Sequence, residues 1–180
     1  QDDALMEKFF AGEELTMDEV KKAIRKGCIA RTITPAFCGS AFKDKGVQQL
    51  LDGVCEYLPS PLDAGPAVSA DDETQKREPS DNEPFCGLAF KIMTDPKSGG
   101  KITFVRVYSG TLKLGAELLD STINREQRIS RLFRMHAAKQ EPLDEAHAGD
   151  IVACVGLTET RTGDTLCDPD HPITLESIDF

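Results

Sequence analysis

From Pro84 onward the chain consists of short alternating stretches separated by glycine-marked turns, a pattern that restricts it to a fold built from β-strands. Cys86–Ile92 and Lys101–Tyr108 alternate with the period of two that a strand imposes. Ser109-Gly110 is a hairpin signal leading into Thr111–Leu114. The further predicted strands are Ala116–Leu119, Arg128–Met135, Ile151–Val155 and Ile173–Ile178. So many short strands in about 95 residues predict a small closed β-barrel, and a β-sandwich satisfies the same pattern.

The beginning of the chain has helical spacing instead. Asp3–Phe10 places its apolar residues on one side of a short helix. Thr16 and Glu19 have the spacing of a capping box, which predicts the start of a second helix. The apolar stripe after Gly46 predicts a third helix, and the Pro-Ser-Pro sequence that begins at Pro59 ends it.

Two segments break this helical pattern. Thr32–Cys38 is short, apolar and partly β-branched, so we predict a strand there, in which Pro35 has no N–H to donate to a neighbour. Residues 63–83 carry seven acidic residues against two basic ones and are rich in Pro, Ser, Asp and Ala. This composition predicts an acidic linker or surface loop.

One arginine-rich segment is ambiguous. Arg125, Arg128, Arg131 and Arg134 recur at every third residue, which favours one face of a helix. The apolar residues between them fit a helix or a strand, so periodicity leaves both open.

Charge is unevenly distributed along the chain. The net charge of −10 argues against a nucleic-acid-binding protein. However, residues 91–139 carry ten Lys and Arg against four Asp and Glu, whereas residues 140–180 carry one against ten. This asymmetry allows a local basic face on an acidic protein.

Membrane and metal functions find no support in the residues. No apolar run approaches the roughly 18 residues that cross a bilayer, and no signal peptide opens the sequence, so we expect no membrane contact. The six cysteines form no C-x-x-C pair and the three histidines are scattered, so no metal site is predicted. Most cysteines lie in apolar runs, which predicts buried free thiols in a reducing, cytoplasmic environment. Because residue 1 is Gln, we expect the sequence to begin within a longer chain or after processing.

Several sequence blocks carry a specific resemblance. Cys38 is followed by GSAFKDKGVQQLLDGVCEYLPSPLD, which closely resembles the end of the GTPase domain of the elongation factor G family. The blocks that resemble successive parts of that family's second domain are EPFCGLAFKIMTDP, GKITFVRVYSGTLKLG, RLFRMHA, AGDIVACVGL and TGDTLCD. The resemblance is colinear, covers almost the whole chain and is weakest in the acidic linker.

This resemblance implies a fold and a parent protein. It implies an α/β remnant plus an all-β part: residues 1–62 as the C-terminal piece of a P-loop GTPase domain, residues 63–83 as the linker, and residues 84–180 as a translation-factor-type closed β-barrel. It also makes Arg128–Met135 a strand. The chain would be a fragment of the GTP-dependent ribosomal translocase, whose full-length form uses GTP and Mg²⁺.

A nucleotide contact is implied at one turn. Ser40, Ala41 and Phe42 resemble the last guanine-recognition motif of translational GTPases, in which a backbone N–H donates to the guanine carbonyl oxygen. The resemblance therefore implies that these residues contact GTP or GDP in the full-length parent. The sequence contains neither G-x-x-x-x-G-K-[ST] nor N-K-x-D. Since hydrolysis needs the phosphates and the metal held together, we expect no cofactor, no catalytic residue and no GTP hydrolysis in this chain alone.

A ribosomal contact is implied for the barrel. The family's second domain docks on the small ribosomal subunit, and Arg and Lys contacts to phosphates position such a module without reading sequence. The residues expected to contact ribosomal RNA are Arg106, Tyr108, Ser109, Lys113, Arg131, Arg134 and His136. Arg106 and Tyr108 share one face of their predicted strand, and Gly110 beside them would let a backbone approach closely.

Some readings stay open and others are set aside. Asp150 and Asp164 each follow a glycine beside a strand, which is typical of turns, so we assign neither a catalytic role. The alternatives to elongation factor G are another translational GTPase, such as a ribosome-protection or peptide-release factor, and a stand-alone barrel that binds RNA or protein. Because the strand predicted at Thr32–Cys38 lacks neighbours, we expect it to mispair, to form a non-native dimer through its edge, or to dock its helices on the barrel.

Overall fold

The structure, a computed structural model, describes residues 3–95, 99–137 and 139–175. It divides into an N-terminal unit, Gln1–Ala64, and a C-terminal unit, Gly65–Phe180. Among the described residues, no helix has the length and apolar character that a bilayer crossing requires.

The N-terminal unit is helical. Its α-helices are α1 (Asp3–Phe10), α2 (Met17–Ile29), α3 (Val47–Tyr57) and α4 (Pro61–Ala64), and Ala41–Lys43 form a 3₁₀ turn. The capping box predicted at the start of α2 is confirmed: the backbone N–H of Glu19 donates to the Thr16 hydroxyl, and the Thr16 N–H donates to Glu19 Oε2 across 3.0 Å.

The strand predicted at Thr32–Cys38 is not observed. A strand needs a neighbour to take up its backbone hydrogen bonds, and the described part of this unit offers only an isolated bridge between Ser40 and Lys45. The segment instead packs through side chains on two helix glycines. A Cβ on Gly27 would lie 2.5 Å from Ile33 Cδ1, and one on Gly53 would lie 2.3 Å from Phe37 Cζ.

This unit has little buried apolar surface of its own. The only buried residues of α2 and α3 are Gly27 and Gly53. The large apolar side chains that stay exposed in the unit are Met6, Phe9, Phe10, Met17, Ile33, Phe37, Phe42, Leu50, Leu51, Val54, Leu58 and Leu62. The implied identity of this unit as a GTPase-domain remnant is therefore not confirmed by its architecture, and the strand edge on which the expected dimer depends is not formed.

The C-terminal unit is built from antiparallel strands. Two short pairs stand apart from the main sheet: β1 (Ala67–Val68) with β2 (Lys76–Arg77), and β5 (Leu112–Lys113) with β10 (Glu145–Ala146). The strands of the main sheet are β3 (Cys86–Thr94), β4 (Lys101–Ser109), β6 (Glu117–Asp120), β7 (Arg125–Arg128), β8 (Arg131–His136), β9 (Lys139–Pro142), β11 (Ile151–Val155) and β12 (Thr165–Cys167). Their order is β7-β6-β12-β3-β4-β11-β8-β9.

The predicted closed barrel is not confirmed, because β7 and β9 remain edges of the sheet in the described part of the chain. The sheet is nevertheless strongly curled. Only Ile129 and Ser130 separate β7, at one end of the strand order, from β8, near the other end. Ser130 N donates to Val155 O across 2.8 Å, and a Cβ on Gly156 would lie only 2.2 Å from Arg128 O. Arg128, at the end of β7, therefore lies against Gly156, the residue after β11, through a backbone contact and not through strand pairing.

The arginine-rich segment is extended. Arg125 and Arg128 belong to β7, and Arg131 and Arg134 belong to β8, so the helical alternative is wrong. The predicted strand Arg128–Met135 in fact begins at Arg131, because the chain turns at Ile129 and Ser130.

The curled sheet encloses the main core. Its fully buried residues include Val105, Val107, Val152 and Leu166. A second cluster lies on the other side of β3 and β12 and contains Cys86, Cys167, Ile173, Leu175, Ala67, Tyr108 and Leu119. Residues 173–175, predicted as part of a strand, pair in no strand, and residues 176–178 lie outside the described residues.

The acidic segment 65–83 is hydrogen-bonded to the sheet unit at several points. Ala70 N donates to Thr174 O across 2.8 Å, Gly110 N donates to Ser80 O across 2.9 Å, and Ala148 N donates to an Asp81 carboxylate oxygen across 2.9 Å. This segment therefore forms part of the outer surface of the C-terminal unit.

The cysteines divide by unit. Cys86, Cys154 and Cys167 are buried free thiols, as predicted. Cys38 and Cys55 are exposed, so the prediction of burial is wrong for these two, which belong to the unit with little core.

Candidate nucleic-acid interface

One face of the main sheet combines basic and aromatic side chains. On β4, Val105 and Val107 point into the core, so Phe104, Arg106 and Tyr108 point to the opposite face. Lys91 of β3 is paired with Phe104 and joins this face.

Arg131 of β8 lies on the same face as these β4 residues. It pairs with Val155, which stands an even number of residues along β11 from Ile151, the partner of Arg106. We call the set Lys91, Phe104, Arg106, Tyr108 and Arg131 the aromatic–basic face.

Cations stack on the rings of this face. The guanidinium carbon of Arg106 lies 5.8 Å from the centroid of the Tyr108 ring, and the ammonium nitrogen of Lys91 lies 5.7 Å from that of Phe104. Arg106 Nε is buried and has no hydrogen-bond partner in the described residues. Such a surface offers both donors for phosphate and rings for base stacking.

The two remaining basic residues of β8 face the other way. Arg134 is three residues from Arg131 and so projects from the opposite side of the strand, where its Nη2 lies 3.4 Å from Asp150 Oδ1. His136 Nε2 lies 3.0 Å from Glu141 Oε2. Lys113 is exposed on β5, outside the main sheet. The seven predicted RNA contacts therefore do not form one surface.

Ser109 and Gly110 are occupied by contacts within the chain. Ser109 is fully buried, and its hydroxyl donates to Pro84 O across 2.8 Å. Gly110 has φ +70°, and a Cβ there would lie 2.6 Å from Phe85 N. The close backbone approach predicted at this glycine is thus made by the chain's own segment around Phe85.

The predicted nucleotide turn is formed locally in the N-terminal unit. Ser40 N donates to Lys45 O across 2.9 Å, and Lys45 N donates back to Ser40 O across 3.0 Å. Ala41 and Phe42 begin the 3₁₀ turn, which ends at Asp44 with φ 51°. The side chain of Phe42 is completely exposed. Its contact with a nucleotide stays a prediction.

The two glycine-linked aspartates cap turns, as predicted. His147 N donates to Asp150 Oδ2 across 3.0 Å, and Arg161 N donates to Asp164 Oδ2 across 2.6 Å. Each carboxylate is therefore engaged by the backbone three residues before it.

Sequence reasoning missed Lys91. Simple alternation places Lys91 with Gly87 and Ala89, on the face opposite Leu88. In the structure Ala89 pairs with Val105 and Lys91 with the adjacent Phe104, so Phe90 is an extra residue in a β-bulge. The bulge moves Lys91 onto the aromatic–basic face, and no turn or glycine signal in the sequence announces it.

Comparison with known proteins finds similarities for the sheet unit. Residues 84–169 match the family described as elongation factor G domain 2. This segment begins two residues before β3 and ends two residues after β12. A crystal structure of a protein from Thermus thermophilus is similar over 95% of this chain, with 26% identity and a TM-score of 0.67. The similar region spans 23% of that protein's length.

Proposed function

We propose that this chain, whose residues 84–169 match elongation factor G domain 2, belongs to a GTP-dependent ribosomal translocase. We propose further that its aromatic–basic face docks on small-subunit ribosomal RNA. The domain relates the chain to the translation elongation factors. The specific partner, the cytoplasmic location and the reaction are part of the proposal.

The GTPase role belongs to the longer protein. In the proposal, Ser40, Ala41 and Phe42 contribute one wall of a guanine site, and residues beyond this sequence hold the phosphates and Mg²⁺. The hydrogen-bonded turn between Ser40 and Lys45 supports this, because it fixes the backbone of the three residues without help from a ligand.

The observation that carries the RNA contact is the placement of Arg131. Its side chain is exposed and has no ion pair among the described residues, and it shares a face with the stacked Arg106 and Tyr108. An unpaired arginine can give its full charge to a phosphate, whereas Arg134 is already beside Asp150.

The test is binding of this chain to purified small ribosomal subunits over a range of salt concentrations. We expect Arg131→Glu to weaken binding and to reduce the slope of log affinity against log salt by about 1 or more, since at least one phosphate contact is lost. Arg131→Lys keeps the charge and should retain most of the salt dependence.

Arg134→Glu is the matched control, because it reverses the same charge on the other face of the same strand. If the aromatic–basic face docks on RNA, Arg134→Glu binds more tightly than Arg131→Glu. The loss of binding free energy in the variant with both substitutions is then no larger than the sum of the two single losses. Unchanged binding of Arg131→Glu at low and moderate salt would refute the RNA contact. A loss only in Arg134→Glu would assign docking to the opposite face.

A further inference from the structure

Two buried cysteines face each other across neighbouring strands. Cys86 of β3 is the direct partner of Cys167 of β12. In an antiparallel ladder, hydrogen-bonded and non-hydrogen-bonded residue pairs alternate. Asp168 N donates to Phe85 O across 3.0 Å and Ala89 N donates to Asp164 O across 2.9 Å, so these two pairs are hydrogen-bonded. Cys86 and Cys167 therefore occupy a non-hydrogen-bonded pair.

This position is where strands bring side chains closest together. Opposed Cα atoms of such a pair are about 4.5 Å apart, which lies within the span of a disulfide. Both residues also belong to the same buried cluster on the outside of the sheet, so their side chains project to the same side.

We propose that Cys86 and Cys167 form an oxidisable thiol pair that hydrogen peroxide converts into an intramolecular disulfide. This modification site is independent of the proposed ribosomal function. The bond would join β3, the first strand of the main sheet along the chain, to β12, the last, and would enclose nearly the whole sheet in one covalent loop.

Burial keeps both thiols in the protonated form while the pair is covered. Burial raises the pKa of both thiols, that of Cys86 to about 12. For Cys167, the nearby Ile173 backbone, Ser121 and the positive charge of Arg77 oppose this effect of burial on its pKa, whereas the charge of Asp168 adds to it. Arg77 opposes the effect for Cys86 as well.

Access depends on the segment that covers the pair. Both cysteines are fully buried, and Ile173 and Leu175 pack in the same cluster. Oxidation therefore requires the segment carrying these two residues to lift, and the rate of oxidation reports how often it does so.

The reaction balances with one peroxide. The Cys167 thiolate attacks a peroxide oxygen, the O–O bond breaks, and a sulfenic acid forms while the departing oxygen takes up the thiol proton and leaves as water. The Cys86 sulfur then attacks the sulfenic sulfur, the S–O bond breaks, and the oxygen leaves with the Cys86 proton as a second water. The two thiols lose two electrons and the peroxide gains them.

Cys154 provides an internal comparison. It is equally buried, and burial raises its pKa to about 12. Its strand partners are Thr103 and Leu132, so no thiol faces it across the sheet. A selective reaction of the other two cysteines would follow from their juxtaposition and not from burial.

The experiment treats the chain with hydrogen peroxide, blocks remaining thiols by alkylation, and maps peptides without reduction. Cys28, Cys38 and Cys55 are first replaced by Ser to remove thiols of the other unit. We expect a linked pair of peptides containing residues 86 and 167, which dithiothreitol separates. The link should be absent in Cys86→Ser and retained in Cys154→Ser, and Leu175→Ala should speed its formation several-fold.

Two results would overturn the proposal. One is that both thiols stay free under peroxide exposure that oxidises them in the urea-unfolded chain. The other is that Cys167 accumulates as sulfinic acid without a link to Cys86. The peptide map of the chain with its natural Cys86, Cys154 and Cys167 decides both results, so the test does not depend on how well a serine variant folds.

Discussion

The hydroxyl of Thr160 donates a hydrogen bond to Asp120 Oδ2 across 2.9 Å, and both residues are fully buried. Gln127 extends the pair, because its Nε2 donates to the same hydroxyl oxygen across 2.8 Å and its Oε1 accepts from Glu159 N across 2.9 Å. Strands β6 and β7 are thereby joined to the loop before β12 through one side-chain oxygen.

Replacing that oxygen should destabilise the sheet unit. Thr160→Val keeps the shape but leaves the Asp120 carboxylate and the Gln127 amide without their shared partner, at an expected cost of about 3 kcal/mol in the free energy of unfolding. Urea denaturation of Thr160→Val and of the control Thr158→Val measures the change in the free energy of unfolding. Thr158→Val, in the same loop and exposed, should change stability by less than about 0.5 kcal/mol. Equal effects of the two substitutions would contradict the role of the buried network.

Asp120 should give the sheet unit a distinctive pH dependence. Burial raises the pKa of its carboxyl, although the Thr160 hydroxyl opposes this, and the charge of Asp164 raises it further. The folded pKa then exceeds the unfolded one, so the folded state takes up the proton more readily. The contribution of Asp120 to stability is full below the unfolded pKa and is lost as the pH rises through the folded pKa.

Asp120→Asn removes this titration. We expect the stability difference between the natural protein and Asp120→Asn to shift against the natural protein as the pH is raised from about 3 to about 7. Urea midpoints measured across this range test the sign. A difference that is constant with pH, or that shifts in favour of the natural protein, would show that Asp120 does not titrate with a raised pKa.

The backbone contact between Gly156 and Arg128 should tolerate no side chain on Gly156. Gly156 has φ +116°, and a Cβ there would lie 2.2 Å from Arg128 O, an atom that cannot rotate away. We expect Gly156→Ala to cost about 3 kcal/mol or more. Gly115 also has positive φ, but the nearest atom to its Cβ position is a side-chain nitrogen of Arg128 at 3.7 Å. Gly115→Ala should therefore cost only about 1 kcal/mol. Thermal unfolding of the two variants measures their loss of stability. Equal losses would contradict the role of the contact with Arg128 O.

The start of helix α2 should be sensitive to acid. Lys8 Nζ donates to Glu19 Oε1 across 2.5 Å, and this bond, followed by those from the Thr16 backbone and hydroxyl, lowers the pKa of Glu19 from 4.5 to about 2. The folded pKa lies below the unfolded one, so the helix gains stability above pH 4.5 and loses it as the pH falls towards 2. Circular dichroism should show this loss in the natural protein and not in Glu19→Gln. Glu14→Gln, just before the cap, should leave the transition in place.

Local signals predicted helices α1, α2 and α3 and six of the twelve strands described, because those signals depend on nearby residues. The capping box at Thr16 and the alternation in β4 depend on contacts within a few residues, and both are observed. The strand at Thr32–Cys38 failed for the opposite reason. Its composition suits a strand, but a neighbouring strand decides whether one forms, and the described part of the N-terminal unit contains only the isolated bridge between Ser40 and Lys45.

The candidate interface was only partly predictable. Alternation correctly placed Arg106 and Tyr108 on one face, since it requires only their spacing. Period counting could not place Lys91, because the bulge at Phe90 depends on how β3 meets β4. Period counting also could not separate Arg131 from Arg134. A spacing of three residues places both side chains on one face of a helix but on opposite faces of a strand, and the segment is a strand.

The apolar residues that bury Cys86 and Cys167 indicate how long a segment this domain needs in order to fold without an exposed core. Ala67 before the matched segment 84–169 and Leu175 after it both pack in the cluster that buries these cysteines. A recombinant piece trimmed to residues 84–169 would carry a bare apolar patch and should be prone to self-association. The segment that matches the family, residues 84–169, is therefore shorter than the segment that keeps this cluster out of water, which includes Ala67 and Leu175.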